Sequence, residues 1–76
     1  MPPVPRASGR EIGRALRRTG WTLARVEGSH HLMRGPTGRI VSIPVQGAKT
    51  LPLGTTRGVV DDLGLSVEEF VRLLKT

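Results

Sequence analysis

The sequence predicts an α+β domain, a three-stranded antiparallel sheet with helices on one of its faces. Three observations carry this prediction. A capped amphipathic segment is followed by three period-two segments with glycine- and proline-bearing turns, and two more helical segments close the chain. At 76 residues there is room for one core, because half of this chain falls below the size at which a domain usually folds unaided. The composition, 37% hydrophobic, suits a compact domain and is too rich for a disordered tail.

The elements follow in order. "MPPVPRA" is proline-rich and predicts a flexible N-terminal arm over residues 1–7, ahead of a single domain over 8–76. "SGRE" sets Ser8 as N-cap and Glu11 three residues on, the capping-box spacing in which each side chain satisfies the other's free backbone N–H. A helix over 9–18 therefore turns Ile12, Ala15 and Leu16 to the core, gathers Arg10, Arg14, Arg17 and Arg18 in a basic stripe opposite, and ends at Gly20. In "WTLARVE", Trp21, Leu23 and the stem of Arg25 alternate with Thr22, Ala24 and Val26, which predicts a strand. "SHHLMR", the turn "GPTG" and "RIVSIPV" predict a hairpin that extends it to a meander. "QGAKTLPLG" reads as a loop. Val59, Val60 and Leu63 then predict a helix capped by Thr55 or Thr56 and closed by Gly64. A second capping box, Ser66 with Glu69, opens a last short helix whose stripe is Val67, Phe70, Val71 and Leu74.

Charge narrows the function classes. Twelve lysines and arginines against six acids leave a net charge of +6, and residues 1–50 carry nine basic and two acidic side chains. A polyanionic partner is the first expectation, solubility the bland alternative. No apolar run is long enough for a membrane span, and the N-terminal stretch has no apolar core of a secretion signal, so a cytoplasmic location and no membrane are expected. Without cysteine there is no thiolate nucleophile, zinc–thiolate site or disulfide framework, and neither cofactor nor metal is expected.

The two histidines stand together in "EGSHHLMRG". On a strand they point to opposite faces, His30 with Leu32 and Arg34, His31 with Ser29 and Met33, so they form neither a converging metal pair nor an acid–base dyad. A strand histidine is ordinarily a half-exposed polar residue with no task. Here Gly28, which lets a ligand approach the backbone, and Ser29 precede it, and Arg25, Arg34 and Arg39 sit on the same strands. Imidazole moves protons near neutral pH, and RNA carries its own nucleophile in the 2′-hydroxyl. Trp21 reads as core next to a helix end, and Lys49, Thr50, Thr55, Thr56 and Arg57 as phosphate contacts or plain capping residues.

An amphipathic helix ending in "RRTGW", the strand pair around "GSHHLMR", the turn "GPTGR", a strand leading to "IPV", and "LPLGTTRGVVDDLGLSVEEFVRLL" together resemble the HicA family of toxins, over about Ser8 to Leu74. The resemblance implies a double-stranded-RNA-binding-domain-like fold and a metal-independent endoribonuclease that cleaves mRNA. It also implies neutralisation by a HicB-type antitoxin that covers the active site, so that the chain is a monomer or an antitoxin-bound hetero-oligomer. By the family pattern the catalytic histidine is the one directly after Gly-Ser, His30. Gly28, Ser29, Arg34, Arg39 and Lys49 are the expected substrate-binding residues. The chain departs from the family at Gln46, where members often have histidine; glutamine hydrogen-bonds but cannot shuttle a proton. Two other readings of the same residues are a non-catalytic basic RNA-binding module and a domain whose arginines face an acidic protein.

Overall fold

A computed structural model of the chain describes residues 3–75. The order is α1 (Gly9–Arg18), β1 (Thr22–Glu27), β2 (His30–Arg34), β3 (Ile40–Pro44), α2 (Leu53–Leu63) and α3 (Val67–Lys75). The three strands form one antiparallel sheet in the order β1-β2-β3. This is the α+β architecture the sequence predicts.

Both capping boxes form. Ser8 Oγ accepts from the Glu11 N–H at 3.1 Å while the Glu11 carboxylate accepts from the Ser8 N–H at 3.0 Å, and Ser66 and Glu69 repeat the exchange at 3.1 and 2.8 Å. At α2 the structure differs. The helix starts at Leu53, after Pro52, with no side-chain cap, and Thr56 is fully buried with its hydroxyl donating to the Pro52 carbonyl at 3.2 Å. Proline suits a helix start because it has no N–H to satisfy. At the far end Gly64 takes φ +73°, the left-handed cap the sequence predicts.

Alternation places Met33 on one face of the sheet, with its neighbour Val41, and Ile43 beside them; all three are buried beneath the helices. Their outward neighbours His30, Arg34, Ile40 and Ser42 are exposed and Leu32 is half-buried. Against this sheet face Ile12, Ala15 and Leu16 of α1, Val59, Val60 and Leu63 of α2, and Phe70 and Leu73 of α3 close one core. Burial of a side chain such as Phe70 or Ile12 contributes about 1.5–3 kcal/mol. Trp21 packs partly buried against that core, as expected. In α3 it is Leu73, with Phe70, that is buried, while Val67, Val71 and Leu74 lie half-buried around them.

Two features depart from simple patterning. Leu23 pairs with Met33 and Arg25 with the next residue, Leu32, so Ala24 is an extra residue in a β-bulge. The faces exchange there: Leu23 points to the core, whereas Arg25 points outward and pairs its guanidinium with Glu27 at 2.6 Å. The proline-rich start also contributes to the core rather than standing off from it. Val4 and Ala7 are buried, the Ala7 carbonyl accepts from Leu51 N–H at 2.9 Å, and Ser8 bridges to Thr50. Apolar surface outweighs proline's lack of a donor at these positions. Among the described residues no helix is long and apolar enough to cross a membrane.

Candidate functional site

Helix α1 determines what β2 can offer. Gly9 lies against the end of β3 so closely that a Cβ there would stand 1.8 Å from the Pro44 carbonyl oxygen. Pro44 is the cross-strand partner of His30. At the other end, Trp21 takes a backbone bond to Leu16 and packs its ring on Gly35, just past Arg34. The helix therefore runs along β2 in the same direction, its start beside the histidines.

The two histidines meet opposite environments. His30 is exposed on the outer face, between Glu27 and Pro44. His31 points to the helical side, where it is half-buried and lines a cleft of about 320 Å³. Arg10, Arg14 and Arg17, at positions i, i+4 and i+7 of α1, form one wall of that cleft. Gly9, Gly13, Met33 and Val45 complete it. No acidic side chain lines it, and Glu11 is turned away to the Ser8 backbone. Three arginines and a histidine lining one hollow make it positive and suited to phosphate.

The residues expected to bind substrate are distributed over both ends of the sheet. Gly28 and Ser29 form the two-residue turn between β1 and β2. Gly28 takes φ +58° while Ser29 does not take a positive φ, the pattern of a type II′ hairpin turn. The Ser29 carbonyl accepts from Val45 N–H at 2.6 Å, which ties this turn to the segment after β3. Lys49 lies exposed in the same region, in the loop whose next residue, Thr50, bridges to Ser8. Gln46 is exposed too, its carbonyl accepting from the Lys49 N–H at 3.1 Å.

Arg34 and Arg39 are at the opposite end. Arg34 is four strand positions from His30, about 13 Å along β2. It faces outward in a shallow hollow with Ala24, Arg25, Leu32 and Ile40. Arg39 follows the GPTG turn, and its guanidinium donates to the Asp62 carbonyl near the end of α2. It neutralises the negative end of that helix. The structure thus brings Gly28, Ser29, His30 and the Lys49 loop to one end and places Arg34 and Arg39 apart from them.

Sequence reasoning left Arg10, Arg14 and Arg17 on a solvated basic face open to RNA, a protein partner or no specific task, gave Gly13 no role, and passed over His31. The signals were present: His31 shares its strand face with the apolar Met33, and the arginines recur at helical spacing. What the pattern does not contain is that α1 leaves this flank of β2 uncovered. A second hollow of about 330 Å³ lies between Leu16, Trp21, Leu63, Leu65 and Leu73 and is mainly apolar. Its one carboxylate, Glu69, is engaged at Ser66. Among the described residues no three histidine or acidic side chains gather as a metal-ligand set.

A family model described as "HicA toxin of bacterial toxin-antitoxin" matches residues 9–65, three quarters of the chain, from the first residue of α1 to just past α2. No curated protein matches the chain.

Proposed function

The chain belongs to the HicA toxin family of bacterial toxin-antitoxin systems, and we propose that it acts as an endoribonuclease that cuts mRNA in the cleft between α1 and β2. The observation that carries this reading is the half-buried His31 facing a wall of three arginines with no acid among them. RNA supplies phosphates for the arginines and a 2′-hydroxyl for the imidazole.

The proposed reaction is transesterification. His31 takes the proton of a 2′-hydroxyl, the freed oxygen bonds to the adjacent phosphorus, and the bond from phosphorus to the 5′-oxygen breaks. The 5′-oxygen leaves with a proton from water, giving a 2′,3′-cyclic phosphate on one fragment and a 5′-hydroxyl on the other. Arg10, Arg14 or Arg17 stabilises the charge that grows on the phosphoryl oxygens. These groups suffice without a metal, so cleavage is expected to persist in chelator.

His30 is the competing assignment. It rests on the position after Gly-Ser in the family pattern, with Ser29 orienting the phosphate and Lys49, in the loop at the same end of the sheet, supplying the cation. Substitution separates the two. His31→Ala is expected to bind RNA and lose at least a hundredfold in cleavage rate, while His30→Ala keeps cleaving. The reverse result assigns the proton transfer to His30, and full cleavage by both variants overturns the histidine mechanism. Binding without cleavage by the wild type would instead favour a non-catalytic RNA module.

The family implies an antitoxin partner. A HicB-type antitoxin that covers the cleft, in the cytoplasm where mRNA is found, completes the proposal; an acidic surface on it would match the arginine wall.

A further inference from the structure

Gly13 occupies the middle of the α1 face that borders the cleft, and nothing in the fold requires glycine there. A Cβ on Gly13 would meet nothing within 4 Å. Its φ is not positive, unlike those of Gly20 and Gly28. Gly9, by contrast, is held to glycine by the Pro44 carbonyl. In a helix interior glycine is the least favourable residue after proline, so propensity opposes it as well. What the missing side chain provides is space, on the cleft wall between Arg10, Arg14 and Arg17 and facing His31.

We propose that α1 is a phosphate rail for single-stranded RNA and that Gly13 is the gap in the rail through which one nucleotide reaches His31. The proposal rests on the ribonuclease reading above and adds to it a binding register and a substrate class. From Arg10 to Arg17 the helix rises about 10 Å. That length lets more than one guanidinium meet successive phosphates of one strand. The planar guanidinium groups grip phosphate oxygens in pairs. Arg10 and Arg14 are one turn apart with Gly13 between them, so a ribose and base turned inward there meet bare helix backbone instead of a side chain. A strand held in a duplex keeps its bases stacked and paired and cannot turn one inward, whereas a single strand can.

The test uses the full chain as wild type, Gly13→Ala and Gly13→Leu, with thermal melts and binding to an uncleavable 2′-O-methyl oligonucleotide, single-stranded or annealed to its complement. Gly13→Ala is expected to melt higher by roughly 2–8 °C and yet to bind the single strand more weakly. Gly13→Leu is expected to stay folded and to bind it at least tenfold more weakly. Arg10→Ala, Arg14→Ala and Arg17→Ala should each flatten the dependence of log affinity on log salt by about 0.7. The wild type should prefer the single strand over the duplex. Wild-type affinity in a folded Gly13→Leu protein, or a preference for duplex, overturns the proposal; cleavage by the wild type of the same oligonucleotide with free 2′-hydroxyls would then show that the ribonuclease reading survives it. Should leucine unfold the chain, undiminished affinity in Gly13→Ala overturns it equally. A wild type that neither binds nor cuts RNA removes both readings and leaves the cleft to a protein partner.

Discussion

At the scale of the residue, three glycines in this chain serve three physical purposes. Gly28 supplies a positive φ to a hairpin turn, which accounts for its place before the histidines without any ligand. Gly9 supplies absence of bulk where α1 crosses the end of β3. Gly9→Ala should therefore force α1 off the sheet and destabilise the fold by about 1–3 kcal/mol, read as a lower midpoint in urea. A midpoint equal to the wild type's would mean that α1 shifts freely there. Gly13 answers neither need, as is also true of Gly54 and Gly58 in α2, but Gly13 alone of these lines the cleft beside His31, and that is why it points to a ligand. The histidines teach a parallel lesson. Alternation separates His30 from His31 on the sequence alone, but which of the two meets the arginines depends on which face α1 covers.

At the scale of the element, capping was the most legible signal. Ser8 with Glu11 and Ser66 with Glu69 both form the reciprocal bonds their spacing predicts, because a capping box involves only residues within one turn. The cap of α2 was misread, since Thr56 looks like a cap in sequence but is drawn into the core. The second box has a pH consequence. The hydrogen bonds from the Ser66 backbone and side chain hold the Glu69 carboxyl below its usual range, with the nearby Arg72 charge adding to them. A carboxyl whose folded pKa is depressed contributes stability that is full above its unfolded value, near 4.5, and is lost as pH falls through the folded value. Denaturant midpoints of the wild type should thus fall more steeply below about pH 4.5 than those of Glu69→Gln, and parallel curves would show that the box contributes nothing to acid stability. The bulge at Ala24 was not legible, because an extra residue in one strand is defined only by the register of its partner.

At the scale of the whole molecule, the basic charge of the first two thirds of the chain divides between two tasks. Arg10, Arg14 and Arg17 line the cleft, while Arg39 reaches across from the sheet to the end of α2 and Arg25 is paired with Glu27. Arg39→Ala should accordingly lower stability by about 1 kcal/mol through loss of a charged hydrogen bond at an exposed site. RNA cleavage by the folded variant should match the wild type's, and a large loss of cleavage with unchanged stability would return Arg39 to the substrate. The sequence by itself determined the fold class, the strand order of the meander, both capping boxes and the positive charge, because each of these rests on periodicity or on contacts within a few residues. Only the tertiary structure decided which arginines stand together, that Val4 and Ala7 belong to the core, and that His31 rather than His30 faces the arginine wall. Those depend on where α1 settles across the sheet, and that is set by packing between residues far apart in the chain, Gly9 against Pro44 and Trp21 against Gly35.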